Sequence, residues 1–400
     1  MNILTDFNSA LKEIYQPGQF IEQFSKQKEL IKRIKGGGGV QSGANFKLIR
    51  TAGGLGYIVP IKTGRLWGAS WIGDGGAYPV SQNAQVDRLQ VTTKTLSVRH
   101  SISNKALAEG SKDFQAMVSI LDDITTSMPE TAEKVLNGAL YRTANGYITT
   151  VNGAVTASTS VVVTSLLGLE VGMPLDIFTA TTAGIQQVAG AKISSIAVST
   201  KTLTMDTVCT ITTGAYVYLA GSRGISITGF ADHFATSGTV AGIDKAAKSW
   251  YQGNLGTATV GTINDMAIQN LVTAALKQKE DAPGRFFLTT YEVRQQIWNK
   301  VLRPLQQNMD TDIAGGIKTF KYNGLDVVPD LDCTAGYMFL IDPATFGFLQ
   351  SQDMQFNTLA GANLMPIPGY SGNDISFEGY IEFMCNRPNA NPYSYGITES

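Results

Sequence analysis

The sequence predicts a mixed α+β fold with one long helix, a separate all-β module and an α/β segment. Three observations lead to this prediction. Apolar residues recur every three or four positions between Ser111 and Asn145, short strand-like runs fill residues 151–226, and strand, helix and hairpin signals alternate from Arg285 to Phe348. At 400 residues, the chain is long enough for two or three compact units.

Residues 1–35 have the pattern of an amphipathic helical segment, interrupted at Pro17-Gly18 and ended by four consecutive glycines, Gly36–Gly39. An ordinary helical hairpin on the chain's own body would give the same pattern. The segment lacks the basic head and apolar run of a signal peptide, so we expect a protein made in the cytoplasm.

Residues 53–86 combine eight glycines with large aromatic side chains. So many glycines disfavour helix and weaken strands, so this segment has little means of building its own core. The aromatic residues Trp67, Trp71 and Tyr78 still carry apolar area that should not remain in water. We therefore expect them, with Arg65 beside them, to be buried against a surface outside this segment, either on another molecule or, for both tryptophans, on the chain's own body.

Two runs, one near the start of the glycine-rich segment and one just after its end, read as strands. Leu89–His100 alternates apolar and polar residues, and Tyr57–Thr63 precedes the aromatic residues. The sequence therefore predicts a long hairpin with these two runs as its limbs.

Ser111–Asn145 is the longest predicted helix, with Ser111 as its N-cap. Pro129 should kink or divide it, because proline removes a helical hydrogen bond. The adjacent carboxylates of Asp122 and Asp123 do not suggest a catalytic pair, since neighbouring helical residues point about 100° apart.

Residues 151–226 contain only six charged residues and 13 threonines. Short strands separated by Gly, Ser and Thr turns predict a small β-barrel or sandwich. The predicted strands are Val161–Val163, Leu175–Phe178, Lys192–Val198, Thr202–Met205 and Tyr216–Leu219.

From Ile227 the pattern becomes α/β. A capping box at Thr262–Asp265 begins a helix that reaches Lys279, and Thr289 with Glu292 begins another over Tyr291–Leu302. Further signals follow in a fixed order: strand Lys318–Tyr322, turn Asn323-Gly324, strands Leu325–Val328 and Tyr337–Ile341, and an Asp342-Pro343 helix start.

No enzyme, cofactor or metal site is expected. The two histidines, His100 and His233, lack a nucleophile motif and suit structural roles. The three cysteines, Cys209, Cys333 and Cys385, form neither a CxxC motif nor a disulfide framework. Asp310 and Asp312 lack the remaining ligands of a calcium loop.

The charge balance of 31 basic and 32 acidic side chains excludes a strongly basic nucleic-acid-binding protein. No run of apolar residues is long enough to cross a bilayer, so we expect no membrane partner.

The ordered series around "GGIKTFKYNGLDVVPDLDCTAGYMFLID", together with the preceding aromatic loop and long helix, resembles the tailed-bacteriophage major capsid protein with the Hong Kong 97-type fold. The resemblance implies an axial domain, a peripheral domain with a spine helix, an extended loop and an N-terminal arm that lies along neighbouring subunits. The β module departs from the minimal pattern as an insertion. The implied parts are an arm (1–50), an extended loop (51–97), a peripheral domain (98–150), an inserted β domain (151–226), an axial domain (227–345) and a return segment (346–400).

The same resemblance implies self-assembly as hexamers and pentamers into an icosahedral shell around double-stranded DNA. Implied partners are a separate scaffolding protein, a portal protein and a decoration protein, with final localisation in the virion. It makes Phe20 and Phe24 of the arm further candidates for subunit contacts. The alternatives are an encapsulin-like nanocompartment shell, a β-rich surface adhesin, and a hydrolase with an unrecognised site.

Overall fold

The computed structural model of the chain describes residues 29–36, 49–50, 56–105, 114–278, 284–302, 320–357 and 365–399. It divides into two compact units, each with its own core. Besides residues outside the described ranges, the small unit contains Thr93–Asn137 and Gln350–Ile381. The large unit contains Glu29–Thr92, Gly138–Leu349 and Glu382–Ser400.

The described helices and strands are numbered separately in chain order. Helices α1 to α5 are Glu29–Gly36, Phe114–Leu140, Phe230–His233, Asp265–Gln278 and Tyr291–Gln296, the last continuing as a π-helix over Ile297–Leu302. Short 3₁₀ helices cover Ser249–Tyr251, Pro343–Thr345 and Pro388–Ala390. Strands β1 to β21 are Ile49–Arg50, Tyr57–Lys62, Val86–Val91, Lys94–Ser103, Tyr147–Thr150, Val155–Val162, Pro174–Phe178, Gln186–Ala197, Thr202–Ile211, Tyr216–Leu219, Thr239–Val240, Ile243–Asp244, Asn254–Leu255, Phe286–Thr289, Phe320–Tyr322, Leu325–Pro329, Met338–Ile341, Phe346–Phe356, Met365–Pro366, Gly372–Cys385 and Pro392–Ser394.

The small unit is a sheet with the long helix α2 packed on one face. Strands β4 and β20 pair antiparallel over ten residues, and β18 and β19 extend the sheet. The shared core consists of Ile102, Ile124, Met128, Ala132, Ile375 and Phe377. Burying this apolar stripe of the helix against the strands accounts for the 3.6-residue periodicity of the sequence.

The predicted hairpin limb Leu89–His100 is in fact two strands. Strand β3 ends at Val91, and β4 begins at Lys94 in the other unit, where it pairs with β20. The alternation of apolar and polar residues runs through both strands, so it does not reveal that the chain leaves one sheet for another.

Pro129 does not divide the long helix, since α2 runs past this residue without a break, and a kink at Pro129 stays a prediction. Proline removes one helical hydrogen bond. Met128 and Ala132, on either side of it, are both buried in the core of the small unit, and their packing holds the two turns together. The Thr131 hydroxyl also donates to the Ser127 carbonyl oxygen at 2.9 Å.

The predicted β module is a six-stranded sheet in the order β5-β10-β7-β8-β9-β6. Its first and last strands meet: Val151 bridges Val163, and Asn152 N donates to Val162 O at 2.8 Å. The sheet therefore closes on itself, so the module is a barrel and not a sandwich. Its interior is filled by apolar side chains: Val151, Val155, Val161, Val163, Leu169, Leu175, Ile177, Val188, Ala191, Ile193, Leu203, Met205, Cys209, Ile211, Ala215 and Val217.

All five predicted strands of this module are confirmed. The prediction omitted β5, because Tyr147–Thr150 lies before the change in composition, and it began β6 too late. The serines and threonines of β6 hide a strand whose apolar side chains appear only at its two ends.

The α/β segment forms a second six-stranded sheet in the order β13-β21-β17-β14-β16-β15. Strand β14 pairs parallel with β16 and antiparallel with β17. The predicted Asn323-Gly324 hairpin is confirmed, with φ of 52° and 76° as a type I′ turn requires. Helices α4 and α5 bury Ile268, Leu271 and Val293 against this sheet.

The predicted helix starts in this segment are displaced by one or two residues. The carboxamide of Asn264, not the Thr262 hydroxyl, accepts from Ala267 N at 2.8 Å at the start of α4. The Thr290 hydroxyl, not that of Thr289, accepts from Val293 N at the start of α5. Asp342 does cap the following turn, but that turn is a single 3₁₀ helix.

Helix α1 packs on the chain's own large unit, which corrects the expectation of an arm lying along neighbours for this part. Leu30 and Ile34 are fully buried, and Arg33 Nη1 donates to Asp326 Oδ2 at 3.0 Å. The guanidinium also lies over the Phe286 ring, 5.2 Å from its centroid. The rest of the predicted arm, including Phe20 and Phe24, lies outside the described residues.

The C-terminal segment does not return wholly to the small unit as predicted. Residues up to Ile381 belong to it, but β21 pairs antiparallel with β17 and parallel with β13 in the second sheet.

Candidate functional site

The loop between β2 and β3, residues 63–85, is the candidate site and is called the ribbon. Its two strands pair antiparallel from Tyr57–Val91 to Lys62–Val86. Beyond them, Thr63 N and Gly64 N both donate to Gln85 O, at 2.9 and 3.2 Å. The paired strands therefore form the base from which the loop extends.

The base of the ribbon is fixed by packing and by polar contacts. Strand residues Val59, Leu89 and Val91 are buried in one cluster with Val240, Ile243, Tyr251, Leu349 and Met384. Gln90 N donates to Ala241 O at 2.8 Å, and Lys248 Nζ lies 3.1 Å from Asp87 Oδ2. These contacts set the direction in which the ribbon leaves.

Beyond its base the ribbon has no core of its own, since none of residues 63–88 is buried. Trp71 is completely exposed, Tyr78 is 88 % exposed and Trp67 is 69 % exposed. Leu66, Ile72 and Val80 are exposed beside them. The side chains singled out from the sequence therefore share one segment and find no cover within the described chain. Several large apolar side chains exposed in one segment are typical of an interaction site.

Glycines set the path of the ribbon. Gly68 faces the opposite limb, where an added Cβ would lie 3.4 Å from Ser81 Cα. At the tip, Gly76 N donates to Gly73 O at 2.9 Å, and Gly75 takes a φ of 75°. Within residues 65–84, which the structure describes throughout, this tip contact is the one backbone hydrogen bond. Arg65 is exposed next to the apolar residues.

The histidine and cysteine side chains, which lie outside the ribbon, have structural roles. His233 is 1 % exposed, and its Nε2 lies 3.4 Å from Phe383 O. Burial, with the nearby charge of Lys245, lowers the pKa of His233 to about 3, so the ring is neutral at physiological pH. His100 lies in β4 opposite Ile375.

The three cysteines are buried free thiols. Burial raises the pKa of the Cys385 thiol to about 12, and it raises the pKa values of Cys209 and Cys333 as well. Thiolates are the reactive form, so these side chains are inert. Among the described residues, no three His, Cys, Asp or Glu side chains are grouped to hold a metal ion. Asp310 and Asp312 lie outside those residues.

The helices within the described ranges are too short or too polar to cross a membrane. No protein-family model matches the chain, and no curated protein sequence matches it either.

Solved structures do resemble it. A chain of the cyanophage A-1(L) capsid asymmetric unit has a TM-score of 0.50 and 12% identity, over 86% of this chain and 89% of that one. The chain has a phage capsid fold. The sequence-based resemblance is therefore confirmed at the level of fold.

Two further structures with a capsid or phage description align over nearly the whole chain at lower scores. A capsid chain of an empty GTA particle has a TM-score of 0.48 and 11% identity, covering 100% of both chains. A chain from Mycobacterium phage Bobi has a TM-score of 0.48 and 10% identity, over 99% of this chain and 98% of that one. The assignment of the capsid fold rests on the cyanophage chain.

Proposed function

We propose that the chain is the major capsid protein of a tailed bacteriophage and that its ribbon docks on a neighbouring copy. The capsid fold supports the first part. The observation that carries the second is the exposure of Trp67, Trp71 and Tyr78 on a loop whose base is fixed. Buried aromatic side chains dominate the energy of many interfaces, so these three are suited to anchor one.

In this proposal the parts follow the Hong Kong 97-type arrangement. Helix α2 is the spine helix of a peripheral domain, the sheet around β14 belongs to an axial domain, and the barrel is an insertion. Axial domains of several copies meet in hexamers and pentamers, which close into an icosahedral shell. Many weak contacts per subunit act together, so the closed shell is hard to dismantle.

The shell encloses double-stranded DNA as a wall and not as a neutralising coat. The near balance of 31 basic and 32 acidic side chains supports this, because tight DNA binding depends on a basic surface. The function is structural and non-enzymatic. We infer that the protein is made and assembled in the host cytoplasm with a separate scaffolding protein, and that a portal and a decoration protein join it in the virion.

The test is the double substitution Trp67→Ala with Trp71→Ala in the full-length chain, produced with its scaffolding protein. Both side chains are exposed, so the subunit should keep its melting temperature while the yield of shells in electron micrographs falls at least about tenfold. The matched control is Val198→Ala with Val208→Ala, which removes exposed apolar side chains from the barrel.

Three outcomes would contradict the proposal. Wild-type chain that stays monomeric at high concentration in the presence of its scaffolding protein excludes a shell protein. Unchanged shell yield in the tryptophan variant excludes the ribbon as an anchor. Particles that enclose a protein cargo and no DNA would identify a nanocompartment instead.

A further inference from the structure

The large unit contains a second concave surface that the sequence does not reveal. A cleft of about 410 Å³ lies between strand β5 of the barrel and strands β17 and β21 of the second sheet. Its lining includes Tyr147, Tyr337, Phe339 and Tyr393 together with Arg142. The volume is within the range of specific binding pockets.

One wall of the cleft is a set of aromatic rings with parallel faces. Tyr337 stacks on Phe339 with centroids 5.7 Å apart and planes 19° apart. Phe234 stacks on Tyr393 in the same way, at 5.5 Å and 28°. The ring planes of Tyr337 and Tyr393 are nearly parallel, 10° apart, with their centroids 6.5 Å apart. Such a wall is suited to receive a further flat apolar ring.

The cleft also contains a positively charged group. Burial lowers the pKa of Arg142 to about 10, with Asp332 as the nearby opposing charge. The guanidinium has five donors and lies in the lining of the cleft. Gly168 leaves the space that the guanidinium fills, because a Cβ there would overlap it. The group is thus held in place in the lining of the cleft.

The tip of the ribbon carries the complementary pair. Trp71 is fully exposed, and Asp74 follows it at the exposed glycine turn. A ring and a carboxylate three residues apart match an aromatic wall with a guanidinium beside it, and charge-assisted hydrogen bonds from arginine to carboxylate are strong.

We propose that this cleft receives the ribbon tip of a second copy, with Trp71 against the Tyr337–Tyr393 wall and Asp74 hydrogen-bonded to Arg142. This inference rests on the proposed function, since it names the surface on which the ribbon docks. It assigns the barrel a role: strand β5 forms one side of the receptor for a neighbour.

Photo-cross-linking tests the contact directly. Particles would be assembled from full-length chain carrying Trp71→p-benzoylphenylalanine and irradiated, and the joined peptides would be identified by mass spectrometry. We expect a cross-link between two chains from position 71 to residues 141–148 or 332–339. The same probe at Tyr370, an exposed site in the small unit, is the control and should not reach these residues.

A second experiment keeps the proposal falsifiable if the bulky probe prevents assembly. Asp74→Asn, Arg142→Gln and the double variant would be compared by the subunit concentration needed for half-assembly. Each single substitution should raise the half-assembly concentration about tenfold. The double variant should raise this concentration no further than the single variant with the larger effect. Asp74 is exposed on the ribbon, so its substitution leaves the fold of the subunit intact.

The results separate the two proposals. Shells that form with cross-links elsewhere, without any cross-link between chains, or with additive effects of the two substitutions overturn the docking site while the capsid function stands. Wild-type chain that forms no shell overturns the proposed function itself.

Discussion

Lys245 Nζ donates a hydrogen bond to the backbone oxygen of His233 at 2.6 Å, at the end of the four-residue helix α3. The same ammonium group donates to Asp232 O at 2.5 Å and Ala235 O at 3.0 Å. Lys245 is fully buried, so its three donors are all used inside the protein. One lysine thereby satisfies the carbonyl groups that the short helix leaves without partners.

Replacing this lysine should destabilise the subunit strongly. Lys245→Met keeps the apolar stem but leaves buried carbonyl groups unsatisfied, at a cost of about 3 kcal/mol in the free energy of unfolding. Urea denaturation of the subunit measures it. Lys248→Met, which loses an exposed ion pair with Asp87, is the control and should cost less than about 1 kcal/mol. Equal losses in the two variants would contradict the role assigned to Lys245.

The buried ring of His233 should make stability depend on pH. Burial and the Lys245 charge lower the pKa of His233 from 6.5 to about 3, so the unfolded chain takes up a proton that the folded chain does not. The stability that comes from keeping His233 neutral in the folded chain is present above pH 6.5 and is lost as the pH falls toward 3. Between pH 7 and pH 5 the loss is about 2 kcal/mol.

His233→Gln should remove that part of the pH dependence, as measured by denaturation at pH 7 and pH 5. His100→Gln is the control, since His100 is only partly buried, and it should leave the dependence in place. A His233→Gln variant with the full wild-type dependence would show that other groups cause it.

Asn391 joins two chain segments, the Asp342–Thr345 turn and its own, and should tolerate no truncation. It is fully buried, accepts from Asp342 N at 2.7 Å, and donates to Thr345 Oγ1 at 2.8 Å and Arg387 O at 3.0 Å. Asn391→Ala removes these three buried hydrogen bonds, and the melting midpoint should reflect a loss of about 3 kcal/mol. Asn270→Ala removes one exposed bond to Thr257 and should change stability by less than about 0.5 kcal/mol.

Gly324 should be sensitive to a single added methyl group because of its backbone conformation. Its φ is 76°, where L-residues are strained, so Gly324→Ala should destabilise the subunit by about 1 kcal/mol. Gly73→Ala is the matched control, since an added Cβ there meets open space without a left-handed φ. The thermal unfolding midpoints of the two variants are compared, and equal midpoints would argue against strain in the hairpin.

The elements that the sequence predicts well are those with local causes. The Asn323-Gly324 turn follows from its residues, and the ribbon follows from glycine density combined with exposed aromatic side chains. Capping positions were displaced because Thr289 and Thr290 are both competent caps, and only tertiary packing selects between them.

Features that depend on residues far apart in the chain could not be predicted from the sequence. The alternation from Leu89 to His100 is the same whether the chain stays in one sheet or changes sheets at Thr92. The environment of Arg142 arises from segments nearly 200 residues apart, Arg142 and Asp332, whose proximity has no local signature. At Pro129 a local signal is overruled: the buried residues on both sides keep the helix intact although proline is a helix breaker.

Closure of the barrel has a consequence for the proposed shell, in which the molecule would be crowded beside its own copies. An open sheet would present a row of backbone donors and acceptors to every neighbour, which invites strand addition and irregular aggregation. Because β5 and β6 meet through Val151 and Val163, the module offers no such row. It can be displayed at very high local density and still leave recognition to side chains alone.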